Sequence, residues 1–318
     1  MIRKTLPPEL QDYYNDIELD GYPKGELLKT INCLLFKIML YRLPDMYQVN
    51  GKNSPIYIYY FSTGKRRPTV NCTDILGGVM KYNEETKKAT TNYPIAFINA
   101  IACVLFKRWN AFTVCTDNKG MFNDGDTAEN FQLSLKNVAY NNIEAVKFIQ
   151  TLPTTDNDNI YAIGVSLGAL TMSAMLGIED AYKKAVIILG GYPLDELIAT
   201  SDEGMVRGYF ERMVQLYYGV EQAKLKIKEA ITTTNEVFKY IPQGSTIVMA
   251  MGSDDTSVPS EYQKKLIYLI APAEIVVLKY RKWIGKIIKA LENGHYQTLL
   301  YYPYLIYRSL KFLSKKEK

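Results

Sequence analysis

The chain has 318 residues, of which 47% are apolar and 22% charged, and its net charge is only +5. That balance excludes a disordered, self-repelling chain, and mild, scattered positive charge gives no footprint for nucleic acid. The length suits one large α/β domain with an insertion.

The segment Met1 to Pro8 lacks the apolar centre of a secretory signal. No stretch offers the roughly 18 uninterrupted apolar residues of a spanning helix, so a cytoplasmic protein is expected, attached to a membrane peripherally if at all. Residues 1–25 read as an irregular lead-in. Over residues 26–43, Leu27, Leu28, Ile31, Leu34, Leu35 and Ile38 recur at helical spacing, and Pro44 ends the run. A helical extension over residues 1–50 is therefore expected, followed by the main domain over residues 51–318.

From Pro55 onward, strand and helix patterns alternate. Strands are predicted over 55–61, 69–74, 112–116, 160–165, 185–189, 246–251 and 274–279, and helices over 95–109, 135–151 and 170–176. Short β-branched strands separated by helix-length segments imply a mainly parallel sheet covered on both faces. The long interval between the strands at 185–189 and 246–251 has helical periodicity and is too long for a loop in a compact domain. It is read as a helical cap at about 192–243.

Cys33, Cys72, Cys103 and Cys115 lie in apolar surroundings with no paired spacing, and a single histidine cannot complete a zinc site. Reduced thiols and no metal are expected. The sequon Asn71-Cys72-Thr73 falls in a predicted core strand and is read as chance.

The chemistry concentrates in three places. Gly164-Val165-Ser166-Leu167-Gly168 matches G-x-S-x-G, with a strand before it and a helix after it. That context suits a nucleophile held in a strained turn, whereas an ordinary turn would use the serine as a helix cap. After the next-to-last strand come Asp254 and Asp255, and Asp255 opens an Asp-x-x-Val-Pro run. The only histidine, His295, follows the last strand in Gly-His-Tyr. Ser166 as nucleophile, His295 as general base and acid, and Asp255 as the orienting acid would form a proton relay. The oxyanion hole would use the amide of Leu167 and that of Leu76 or Gly77, in Ile75-Leu76-Gly77-Gly78 after the strand at 69–74.

In these residues the chain resembles the α/β-hydrolase superfamily of serine hydrolases, over roughly residues 55–315. The resemblance implies a central sheet of about eight strands. It also implies cleavage of an ester or amide through an acyl-enzyme, with no metal or organic cofactor. The chain departs from the family at Asp74-Ile75-Leu76, where a histidine usually precedes the oxyanion glycines, and in the long stretch before His295. The expected substrate is a small-molecule carboxylic ester or an acyl lipid. An acyltransferase, a peptidase or a non-catalytic binding protein on the same fold are the alternatives.

Residues 279–291, from Lys279 to Leu291, place Trp283, Ile284, Ile287 and Ile288 on one helical face and lysines on the others. This is the pattern of a helix packed on the domain with a solvated basic face, and the alternative is a peripheral membrane contact.

Overall fold

The computed structural model describes residues 6–8, 10, 22–44, 55–73, 79–83, 85, 86, 88–92, 95–115, 122, 127–279 and 294–315. The described strands are β1 (Glu26–Asn32), β2 (Lys37–Leu43), β3 (Ile56–Ser62), β4 (Arg67–Thr73), β5 (Val79–Asn83), β6 (Lys88–Asn92), β7 (Asn110–Val114), β8 (Thr155–Val165), β9 (Lys184–Ile188), β10 (Gly244–Gly252) and β11 (Pro272–Leu278). Nine of them form one sheet in the order β1-β2-β3-β7-β4-β8-β9-β10-β11, and β5 pairs with β6 in a separate ribbon. From β7 to β11 all neighbours are parallel, while β1, β2 and β3 form an antiparallel margin.

Alternation along the strands divides the core. Ile58 and Tyr60 of β3, Ile160 and Ala162 of β8, and Ala185 and Ile187 of β9 point to one face. Their neighbours Tyr59, Phe61, Tyr161, Ile163, Val186 and Ile188 point to the other. Strands buried on both faces read as continuous apolar runs, which is why β9 and the second half of β8, from Ile160, are so legible in sequence.

The first face is covered by α2 (Ala128–Gln150), α3 (Leu167–Ile178), α4 (Leu194–Thr200), α5 (Gly204–Leu216), α6 (Val220–Phe238) and α7 (Ser260–Ile270). The second carries α1 (Ile95–Ala102), which precedes the short α8 (Gly294–Gln297) in the chain, and α9 (Tyr302–Leu313). The start of α2 is set by Thr127, whose side chain accepts from the Asn130 amide at 3.2 Å. Helices α4, α5 and α6 fill the interval between β9 and β10, and α6 packs on α2 and α3.

One expected element is different. Residues 26–43 form no helix but the hairpin β1–β2, closed where the Cys33 amide donates to the Phe36 carbonyl at 2.9 Å. Strand β2 is in register with β3, so that Ile38 faces Phe61 and Tyr41 faces Ile58. An apolar series spaced for a helix face is overridden by an open sheet margin that β2 can complete.

Asn71 lies fully buried in β4, where its amide nitrogen donates to Tyr182 at 2.7 Å and Asn142 at 3.3 Å. The side chain is thereby occupied inside the core, in keeping with a sequon that arises by chance. All four cysteines are free thiols, with Cys72 and Cys103 buried. Among the described residues no helix is long and apolar enough to cross a membrane.

Candidate active site

Ser166 follows β8 and stands at the N-cap position of α3, with φ 54° and ψ −120°. A side chain in this region costs on the order of 1–3 kcal/mol, so the surroundings must impose the conformation. They do so through the backbone. The Ser166 amide donates to the Ile188 carbonyl of β9 at 2.8 Å, and the Ser166 carbonyl accepts from the Ala169 and Leu170 amides at 2.8 and 3.1 Å. Gly164 permits the close turn, because a Cβ there would stand 2.5 Å from the Gly168 carbonyl oxygen. The Ser166 side chain makes no capping hydrogen bond. Its Oγ lies instead 3.1 Å from His295 Nε2.

His295 sits in α8, beyond the last strand, and its Nδ1 lies 2.8 Å from Asp255 Oδ2. An Nδ1 proton donated to the carboxylate leaves Nε2 free to accept the serine proton. Burial opposes the imidazolium. The charge and hydrogen bond of Asp255, with smaller help from Glu203 and Asp202, outweigh burial and raise the His295 pKa above its ordinary value.

Asp255 is buried after β10 and has its partners on every side. Oδ1 accepts the amides of Ser257 and Val258 at 3.0 and 2.9 Å, and Oδ2 accepts Gln263 Nε2 at 3.1 Å besides facing His295. Its neighbour Asp254 is exposed and accepts from Ser253 Oγ at 3.0 Å. Of the two adjacent carboxylates, only Asp255 faces the imidazole.

Gln263, on α7, had no motif to mark it. It is fully buried and bridges three points of the acid loop. Besides Asp255, Nε2 donates to the Val258 carbonyl at 2.6 Å, and Oε1 accepts the Gly252 amide at 3.0 Å. Glu203 and Tyr296 were likewise unmarked. They line the cavity beside Ser166, and the Tyr296 hydroxyl donates to Glu203 Oε2 at 2.9 Å. For Tyr296 adjacency to His295 was an available signal. For Gln263 and Glu203 nothing in the local sequence was.

Leu167 is the first residue of α3, a position whose amide has no partner inside the helix, and it lines the same cavity. The other expected oxyanion residues, Leu76 and Gly77, lie outside the described residues, as does all of 279–291 except Lys279. Among the described residues no group of acidic, cysteine or histidine side chains could hold a metal ion.

The cavity has a volume of about 370 Å³. Apart from Ser166, His295, Glu203, Tyr296 and a few hydroxyls, its lining is aliphatic and aromatic. Chemically, the site offers a hydroxyl in a strained turn, a base in contact with it, an acid behind the base, and an apolar chamber alongside.

No family model matches the chain, and no curated protein matches it in sequence. Solved structures do. The chain is similar to acetyl xylan esterase 1 from Thermoanaerobacterium sp. JW/SL YS485, with TM-score 0.61 and 13% identity over 91% of this chain and 94% of that one. It is similar to an acetyl xylan esterase from Paenibacillus sp. R4, with TM-score 0.56 and 13% identity over 90% and 95%. The acylaminoacyl peptidase of Pyrococcus horikoshii matches with TM-score 0.52 and 13% identity, over 96% of this chain but 45% of that one. At such identities the likeness speaks to the fold. The chain has the α/β-hydrolase fold, with nine strands in its main sheet against the expected eight or so.

Proposed function

We propose that the protein is a serine hydrolase that cleaves carboxylic esters through an acyl-enzyme. The observation that carries this reading is the continuous relay from Ser166 Oγ to His295 at 3.1 Å and on to Asp255 at 2.8 Å, opening on an apolar cavity. The esterases among the structural neighbours support it at the level of the fold.

In the first half-reaction Ser166 Oγ bonds to the ester carbonyl carbon while its proton passes to His295 Nε2. The tetrahedral oxyanion is met by the Leu167 amide, with the second donor assigned to Leu76 or Gly77. The carbon–oxygen bond to the alcohol then breaks, and the alcohol leaves with the proton from His295. In the second half a water gives its proton to His295, its oxygen bonds to the acyl carbon, and Ser166 recovers the proton as the acid departs. Asp255 holds the imidazole in the required tautomer and balances its transient charge. Helices α4 and α5, which contribute Leu194, Leu197, Ile198 and Val206 to its lining, act as the cap over the cavity.

A fluorophosphonate probe should label the protein on Ser166, and Ser166→Ala should abolish both labelling and turnover of a p-nitrophenyl ester, with a loss on the order of 10⁶-fold in kcat. Full turnover by Ser166→Ala would defeat the assignment. Labelling without hydrolysis of any ester, but with transfer to an added amine or cleavage of an amide, would move the reading to acyltransferase or peptidase.

A further inference from the structure

We propose that the cavity beside Ser166 is an acyl-chain pocket and that the substrates are esters of medium-length aliphatic acids, of about six to ten carbons. This rests on the serine-hydrolase reading and deepens it by assigning which part of the ester the cavity holds.

The walls differ in kind. One part of the lining is buried apolar side chains, Phe131 and Leu135 of α2, Leu194 and Leu197 of α4 and Val206 of α5, joined by the half-buried Leu170 of α3. The other part is His295, Tyr296, Glu203 and Leu299, and of these Tyr296 and Leu299 are exposed to solvent. The lining therefore divides into a largely buried apolar part and a part, containing the base, that reaches solvent.

The order of bond breaking decides which part of the ester goes where. The alcohol takes its proton from His295 Nε2, so it departs on the imidazole side, and water must arrive by the same side to reach the base. The acyl group stays bonded to Ser166 throughout that exchange. What is left for it is the buried part of the lining, and the side chains there are hydrocarbon. A charged or hydroxylated acyl group there would lose its hydration without partners. Size sets the length. If a methylene claims about the room of a water molecule, roughly 30 Å³, a chain of about eight carbons takes some two thirds of the cavity and leaves the rest for the alcohol, whereas an acetyl group leaves most of it empty. The carboxylate of Glu203 in the part that reaches solvent adds a reason for the acid product, once freed, to leave.

The test is a chain-length series of p-nitrophenyl esters from acetate to palmitate below their solubility limits, with methyl octanoate run against octyl acetate. Full burial of each methylene is worth roughly fourfold, and partial burial less, so kcat/KM should rise on the order of 100-fold from acetate to octanoate and decline for the longest chains. Methyl octanoate should be preferred to octyl acetate. Leu135→Trp, and independently Val206→Trp, should lower the octanoate-to-acetate ratio of kcat/KM by about tenfold or more. The ratio does not depend on how much of a variant is folded. A flat or acetate-favouring profile with Ser166-dependent turnover would overturn the acyl pocket and leave the hydrolase reading intact. A preference for octyl acetate would overturn it by placing the chain on the alcohol side. Absence of Ser166-dependent turnover with every ester would defeat the hydrolase reading itself, and the pocket assignment would fall with it.

Discussion

The two ends of the cavity are built by different means. At the reacting end Ser166 and Asp255 hang from loops at the ends of β8 and β10, each tied by backbone amides and carbonyls within a few residues or to an adjacent strand. At the apolar end the wall consists of side chains from α2, α3 and α4, with no polar contact to hold them in place. Backbone-tied groups keep their position when neighbouring side chains change, whereas a packed wall takes its shape from every residue in it. Changes at the first end should therefore alter the rate for all esters alike, and changes at the second should alter the choice among them.

The sharpest way to break that division is Asp255→Asn. It should lower kcat by about 10⁴-fold, because the amide favours the wrong imidazole tautomer. The loss should be the same for acetate and octanoate, leaving their ratio unchanged. Asp254→Asn should stay within about twofold, since that carboxylate is exposed and only its neighbour faces His295. The reverse ranking, measured by steady-state kinetics, would move the acid by one position.

Next in size is Gln263→Leu. It removes the donor to Asp255 and leaves the Gly252 amide without its acceptor, so stability should fall by about 1–3 kcal/mol in denaturant unfolding. A misaligned acid should also lower kcat by about 10- to 100-fold with KM little changed, since Gln263 does not line the cavity. A loss confined to stability would make Gln263 a structural residue alone.

The smallest effect concerns pH. General-base action needs neutral His295, so kcat/KM falls as pH drops through its pKa. Because that pKa is raised, the acid limb should lie above pH 6.5, the ordinary value for histidine. Glu203→Gln removes one of the charges that favour the imidazolium, so the limb should move to lower pH. A limb that moves upward would contradict the electrostatic account.

Much of the fold and of the candidate site was legible in chain order. The apolar runs of β8 and β9, the glycines around Ser166 and the Asp-x-x-Val-Pro spacing each express a local requirement. A strand buried on two faces must be apolar throughout, and a turn that brings α3 back against β8 must be glycine at Gly164. Ser166, Asp255 and His295 were expected together and come together, at hydrogen-bonding distance. Residues 26–43 have an apolar spacing that satisfies a helix, while the deciding interaction is with β3, which lies beyond them in the chain.

By itself, then, the sequence determined the α/β layering, the strained elbow and the identity of the groups that meet there, because these depend on backbone conformation and on neighbours within a few residues. Tertiary structure alone decided that 26–43 are strands, that Gln263 braces the acid loop, and that α2, α3 and α4 enclose an apolar chamber. The reason is physical. A strand needs a partner, a buried amide side chain needs particular donors and acceptors, and a cavity is the space left between helices distant in sequence.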